Sequence, residues 1–309
     1  MSRRAVSNQS WLPGLDNGLM PRGTVRPGGV VVNVASVPQR SPFRYAGGKT
    51  WLVPEARRWL ASQARRPKLL VEAFAGGASV GLSAGIEGLV DRVMLVELDA
   101  DVASVWKAIF GGEGAALAER VSRFVVTRGA VESVIDSQPQ SELDRAFRTL
   151  VRNRMLHGGI LAPGASLMRE GENGKGLLSR WYPATLVRRI LALAEHADRF
   201  EVVCADGLEV IAAEGRHAGT CVFADPPYVV AGRRLYTHHE LDHRRLFERC
   251  ARVRGDFLMT YDHAPEIVSL SREFGLDTAL VPMKSRQHAI KLELLVGRDL
   301  RWARAQALR

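Results

Sequence analysis

Cysteine is nearly absent from this chain: of 309 residues only Cys204, Cys221 and Cys250 carry a thiol, and each stands singly. That leaves no C-x-x-C pair for a zinc site and no even framework for disulfides, so all three are expected as buried small hydrophobes. Long apolar runs are missing too. No window approaches the roughly eighteen consecutive apolar residues of a membrane-spanning helix, and the first forty residues hold no apolar block of the signal-peptide kind. An intracellular, cytoplasmic protein is expected. Acidic residues are in deficit, 33 against 43 lysines and arginines, for a formal net charge of +10 and a pI near 10.1. Such a balance favours a polyanionic partner, because clustered cations release counterions when they meet phosphates. A hydrophobic content of 46% is enough for a substantial core, in one large domain or two ordinary ones.

The first forty residues are rich in Arg, Pro, Gly, Ser and Asn, with only "GVVVNVASV" (29–37) able to form a short strand, so residues 1–40 are expected as a flexible arm. From Trp51 the apolar spacing is helical. "KLLVEAF" (68–74) then makes a strand that meets "AGGASVG" and a second helix, and "DRVMLVELDADVASVWKAIF" repeats the plan, with a strand ending at Glu97 and a helix that Asp99 or Asp101 could cap. Two such units imply an α/β fold with a parallel, doubly wound, Rossmann-like sheet. Further strands are predicted at "FEVVCA", "TCVFADPPY", "DFLMTY" and "AIKLELLV". The strand rhythm stops over 111–197, where "SELDRAFRTLVRNRML" (141–156) and "PATLVRRILALAEHA" (183–197) are basic amphipathic helices around a glycine-rich loop. The reading is a discontinuous sheet domain (41–110 and 198–300), a mostly helical insert (111–197) and a short tail (301–309).

Three short patterns have the look of known sites. "GGKT" (47–50) ends like a phosphate-binding loop, but the position that must be glycine is Phe43, and no buried strand leads into it. "GASVG" (77–81) fits the nucleophile elbow G-x-S-x-G, yet Ser79 lies several residues beyond the strand. Its glycines are better used to bring a helix N-terminus close to a ligand. "HELDH" (239–243) fits the zinc-protease pattern H-E-x-x-H without an evident third ligand, so no metal is expected.

A fourth pattern carries more. "ADPPY" (224–228) follows the apolar strand "TCVF", so Asp225 and Tyr228 come to the carboxyl end of a sheet strand, where open α/β folds bind ligands. Two prolines stop the strand and keep the intervening carbonyl out of a ladder, free to accept from a substrate. With "SPFRYAGGKTWLVP", "VEAFAGGASVGL", "VELDAD", "CADGLEVI" and "MKSRQHAIKLELLVGRDL" in this order, the chain resembles the Dam-like (D12 class) adenine-N6 DNA methyltransferases. The resemblance implies a methyltransferase sheet with an inserted target-recognition domain, S-adenosylmethionine as cofactor and S-adenosylhomocysteine as product. It also implies double-stranded DNA as partner and a bacterial or phage-type, nucleoid-associated setting. Mapped on this chain, the cofactor falls to Tyr45, Gly48, Lys49, Phe74, Ala75, Gly76, Gly77, Glu97, Asp206 and Asp225. Glu97 is implied for the ribose hydroxyls, Asp206 for the adenine, and Lys49 for the carboxylate of the methionine end. Asp225, Pro226, Pro227 and Tyr228 fall to catalysis. One departure stands out: Ala73 takes the place of a usual proline in the glycine loop.

The chemistry is legible without the family. An exocyclic adenine amine is a poor nucleophile because its lone pair is delocalised, and Asp225 with the Pro226 carbonyl offers two acceptors for its N–H groups. Tyr228 would stack on a base flipped from the duplex. For DNA contacts the predicted residues are Arg152, Asn153, Arg154, Lys175, Arg180 and Arg188, with Arg154 expected to read a base edge and Arg188 a phosphate. Two other readings remain open: an amino-group methyltransferase acting on RNA or a protein glutamine, and a non-catalytic DNA-binding protein.

Overall fold

The computed structural model describes residues 36–44, 48–162, 164–168, 175–227, 241–284 and 290–304. Seven strands form one sheet: β1 (Leu69–Glu72), β2 (Arg92–Glu97), β3 (Phe200–Cys204), β4 (Thr220–Ala224), β5 (Asp256–Asp262), β6 (Asp277–Lys284) and β7 (Ile290–Gly297). Their order is β3-β2-β1-β4-β5-β7-β6. The first five in that order run parallel, and β7 is antiparallel to both of its neighbours. This is the doubly wound α/β sheet that the sequence implies, with one reversed strand that a purely parallel sheet would not have. Chain length explains the reversal. Parallel neighbours need a crossover of about a dozen residues or more, whereas only residues 285–289 separate β6 from β7. Sequence pattern alone does not mark β6, because Pro282 lies inside it and a proline cannot donate to a ladder. It is tolerated there because β6 is an edge strand.

Alternation along the strands divides the core into two layers. On one face Leu70, Val93, Leu95, Phe223 and Leu295 meet α1 (Val53–Ala61), α2 (Ser79–Ile86) and α3 (Ala100–Ala108) through Trp59, Leu82 and Trp106. Between α3 and β3 the chain leaves the sheet for α4 (Gly114–Arg123), α5 (Arg128–Asp136), α6 (Glu142–Met155) and α7 (Pro183–Ala194), so the 111–197 insert is helical as read. Thr127 and Ser141 cap α5 and α6 by accepting from Ala130 and Asp144 amides. Among the described residues the insert shares the sheet domain's core: Val121, Phe147, Leu150 and Leu186 belong to the same buried cluster as Leu70 and Trp106. The opposite layer joins Val71, Val96, Val222, Met259 and Leu294 to α8 (Gly207–Glu214), α9 (His243–Ala251) and α10 (Pro265–Glu273).

Two expectations need correction or fall outside. Cys221 and Cys250 are buried, but Cys204 is exposed, because it ends the edge strand β3, which has sheet on one side only. The apolar run at 29–37 lies almost wholly outside the described residues. Among the described residues no helix is long and apolar enough to cross a membrane.

Edge strand β3 is held against α2 by one tight contact. Phe200 stacks on Phe110 with ring centroids 4.3 Å apart, and a Cβ placed on Gly85 of α2 would lie 2.5 Å from the Phe200 ring. Gly85→Ala is therefore expected to overpack this seam and cost about 1–3 kcal/mol. A lower urea midpoint at unchanged slope in equilibrium unfolding checks this, and an unchanged midpoint contradicts it.

Candidate active site

The carboxyl ends of β1, β2, β3 and β4 open on one cavity of about 300 Å³. Gly48, Lys49, Phe74, Ala75, Gly76, Gly77, Glu97, Asp206 and Asp225, which are far apart in sequence, all line it. Pro227 lines it as well, and Pro226 is buried beside it. Tyr45 and Tyr228 lie outside the described residues, as do His239 and Glu240 of the H-E-x-x-H pattern. His243 of that pattern opens α9, where its Nδ1 sits 3.1 Å from the Tyr261 hydroxyl. No group of three or more His, Cys, Asp and Glu side chains able to hold a metal gathers among the described residues.

The glycine loop runs from β1 over residues 73–78 into α2. Gly76 (φ 45°) and Ala78 (φ 51°) both adopt the left-handed region, and Ala78 is the one non-glycine residue to do so among those described. Side chains from three elements hold this strained path. Glu72 at the end of β1 accepts from the Gly81 amide of α2 at 2.7 Å. Glu97 at the end of β2 accepts from the Gly76 amide at 2.8 Å and, through its other oxygen, from the Asp99 amide at 2.9 Å. Trp106 donates its indole N–H to the Gly76 carbonyl at 3.1 Å. Ser79 is the first residue of α2, well past the strand end, so it does not sit on a nucleophile elbow. Asp206 caps α8 by accepting from the Leu208 amide at 2.8 Å, and Gly207 behind it is pressed on the loop: a Cβ there would lie 2.3 Å from the Ala73 carbonyl oxygen.

Asp225 follows β4 directly. Thr260 of β5 donates to its Oδ1 at 2.8 Å, and the Lys49 ammonium lies 3.0 Å from the same oxygen and 3.1 Å from Glu293 Oε1 of β7. Lys49 was expected to face a ligand carboxylate. Its ammonium, in the cavity wall, stands between two carboxylates of the chain, Asp225 and Glu293. Burial opposes the charge on Lys49, and Asp225 and Glu293 overcome that and hold its pKa above the ordinary lysine value. Sequence reading missed Glu293, Thr260 and Glu72. A signal existed for the first: a carboxylate inside the apolar run "KLELLV" is costly in a central strand unless it is paired.

Charge sets the character of the cavity. Six acidic side chains line it (Glu72, Glu97, Asp99, Asp206, Asp225 and Asp242), two of them, Glu72 and Glu97, held partly protonated near neutral pH, against two cations, Lys49 and Arg245. Both cations have acidic partners, Arg245 pairing with Glu209. A hollow lined mostly by acids, in a chain of net charge +10, suits a cationic or neutral ligand and repels a polyphosphate. Burial pushes Glu72 up to about 8, against the Gly81 and Val80 amides and with Asp225 adding to the rise. Burial likewise pushes Glu97 up to about 7, against the Asp99 and Gly76 amides.

The insert supplies the remaining wall through Gly159, Ile160 and Leu161. Here the predicted base readers are corrected. Arg152 pairs with Asp101 Oδ2 at 2.7 Å and donates to the Leu161 carbonyl at 3.1 Å. Asn153 is fully buried; its amide nitrogen donates to the Arg44 and Gly159 carbonyls at 3.0 Å each, and its oxygen accepts from the Arg44 amide at 2.8 Å. Arg154 is buried and donates to the Pro42 carbonyl. The Asn153 amide, with both its oxygen and its nitrogen committed to the interior, has no edge left for a base, and Arg154 points its Nη2 inward from a buried position. Lys175 and Arg188 are exposed and Arg180 is half-buried.

No protein-family model matches the chain, and no curated protein matches it significantly. Solved structures similar to it include the rRNA methyltransferase aviRa from Streptomyces viridochromogenes, at 16% identity and TM-score 0.38, covering 91% of this chain and 89% of that one. Another is the precorrin-6y C5,15-methyltransferase from Geobacter metallireducens GS-15, at 11% identity and TM-score 0.32, covering 79% of this chain and 86% of that one. Scores of this size decide neither substrate nor chemistry, which rest on the site itself.

The raised pKa of Glu72 makes a signed prediction. The unfolded carboxyl ionises near 4.5 and the folded one near 8, so between these values the folded state binds more protons and stability falls as pH rises. Glu72→Gln, which keeps an acceptor for the Gly81 amide without an ionisable proton, is expected to gain in melting temperature relative to the parent between about pH 5 and about pH 8.5. Thermal melts across that window check it; a difference that stays constant contradicts it.

Proposed function

We propose that this chain is an S-adenosylmethionine-dependent methyltransferase that methylates the N6 amine of adenine in double-stranded DNA. The observation that carries the reading is the acid-rich cavity at the strand ends, with Asp225-Pro226-Pro227 on one side and the glycine loop on the other. Its volume is at the lower end of the range for small-molecule sites. Its acids fit a ligand whose reactive centre is a sulfonium better than they fit a nucleotide polyphosphate. Glu97, Asp99 and Asp206, which line the cavity, would hold the hydroxyls and adenine of that cofactor.

When bound, S-adenosylmethionine supplies an electrophilic methyl group on sulfur. The protein's part is to hold the amine. The Asp225 carboxylate and the Pro226 carbonyl accept from the two N–H groups and draw the nitrogen toward tetrahedral geometry, so that its lone pair leaves the ring. Thr260 and Lys49 both hold Asp225 Oδ1 and so fix the rotamer of Asp225. Tyr228 is the stacking residue for the flipped base. Proximity and preorganised electrostatics are then sufficient for in-line transfer without a covalent intermediate. The net charge of +10 supports a nucleic-acid partner.

The test is transfer of a labelled methyl group to duplex DNA, RNA and protein in parallel. Label is expected in DNA, as N6-methyladenine after hydrolysis. Asp225→Asn should lower that transfer by about a hundredfold or more while cofactor binding persists. Label confined to RNA or protein overturns the substrate, and full turnover by the variant overturns the role of Asp225.

A further inference from the structure

The junction between the insert and the sheet domain turns on two consecutive residues near the end of α6. Arg152 donates through Nη1 to Asp101 Oδ2 at 2.7 Å and through Nη2 to the Leu161 carbonyl at 3.1 Å. Both anchors stand at the cavity: Leu161 lines it, and so do Asp99 and Val102, which flank Asp101 at the start of α3. One guanidinium therefore spans two walls. Asn153 beside it holds the carbonyl of Gly159, another lining residue, and both backbone groups of Arg44, a short way before the lining residue Gly48. On the sheet side the ties continue, for Asp99 Oδ1 accepts from the Asp101 amide at 2.9 Å, the Asp99 amide donates to Glu97 at 2.9 Å, and Glu97 accepts from the Gly76 amide at 2.8 Å. A series of hydrogen bonds thus joins the insert's wall to the glycine loop.

Helix packing does not need Arg152. α3 and α6 already lie against each other, and Trp106, Phe147 and Leu150 share one buried cluster. What the guanidinium adds is the place of the wall segment. Gly158 and Gly159 both adopt the left-handed region, at φ 73° and 75°, and glycine loses more freedom on ordering than any other residue. Such a segment keeps one path when its carbonyls are held, and Arg152 and Asn153 hold those of Leu161 and Gly159. Lysine is no substitute here, because its ammonium is a compact point charge, whereas the guanidinium carries its donors in a rigid fork that reaches two acceptors in set directions. The pair is also half-buried, with 17% and 27% side-chain exposure for Arg152 and Asp101, so salt screens it less than a surface pair.

We propose that Arg152 is a positioning residue for the ligand of the cavity: it fixes the insert's wall at 159–161 against the acidic wall at Glu97 and Asp99, so that the ligand enters a gap already set. The inference rests on the function proposed above for the identity of that ligand, S-adenosylmethionine, and it gives the insert a part in cofactor binding. A wall held ready spares the ligand the cost of ordering it. By linkage, a bound ligand in turn steadies the insert.

The experiment is calorimetric titration of the full chain with S-adenosylhomocysteine, which binds without turning over, at a temperature where every variant is folded. The parent is compared with Arg152→Lys, Arg152→Met and, as a control, Arg120→Met, which removes a pair with Asp144 whose two members do not line the cavity. Both Arg152 variants are expected to bind at least about tenfold more weakly, since the ligand must then order the wall segment itself. Arg120→Met is expected to bind within about twofold of the parent, because the sites are independent. Hydrogen exchange at the amides of 159–161 is expected to slow when the ligand saturates the parent, and to slow less in Arg152→Lys. If Arg152→Met fails to fold, Arg152→Lys decides. Arg152→Lys that binds as tightly as the parent, whatever its melting temperature, is a structural strut replaced and overturns the proposal. So does an equal loss of binding in Arg120→Met, or exchange at 159–161 that the ligand leaves unchanged. These results, with a parent that binds S-adenosylhomocysteine, remove the inference and leave the function standing; a parent that binds neither it nor S-adenosylmethionine overturns both.

Discussion

The buried Lys49 ammonium between Asp225 and Glu293 is the interaction on which the site depends. It joins three parts of the chain that have no sequence proximity: the turn before α1, the end of β4, and the reversed strand β7. Burial alone would disfavour the charge on this lysine, and the two carboxylates beside it overcome that. The arrangement also gives the reversed strand a role. Glu293 reaches Lys49 from β7, the strand that lies antiparallel beside β5, and β5 in turn brings Thr260 to Asp225.

Around that centre the loops are held by carboxylates used as backbone clamps. Glu72 and Glu97 accept from amides of α2 and of the glycine loop, so the left-handed residues Gly76 and Ala78 keep their conformation. Both groups are buried enough to have raised pKa values, and both remain in the cavity wall. Structure and ligand chemistry thus draw on the same side chains, and the wall stays acidic in a basic protein.

The insert is bound to the sheet domain more closely than an appended recognition module would be. It shares the core cluster of Trp106, and Arg152, Asn153 and Arg154 at the end of α6 tie it to α3, to the 157–161 segment and to residues 42–44. Three of the cavity's lining residues come from it.

Much of this was determined locally and could be read from the chain. The short apolar runs of the buried strands, the glycine loop after "LLVE", the Asp99 cap and the strand-stopping prolines after Asp225 all follow from side-chain pattern and backbone restriction within a few residues, and the cavity-lining set follows from the rule that α/β sheets bind ligands at strand ends. What needed the tertiary structure was every choice of partner. "VRNRML" reads as a basic helix end whether its side chains meet solvent, DNA or the interior, and packing against residues 42–44 turned Asn153 and Arg154 inward. "GGKT" supplies a cation whose counter-charge could lie on a ligand or on the chain, and the pairing of β7 with β5 put Glu293 within reach of it. Local sequence sets which conformation and which charge a residue brings; long-range packing decides which groups it meets, because contacts between residues 49, 225 and 293 exist only once the sheet has closed.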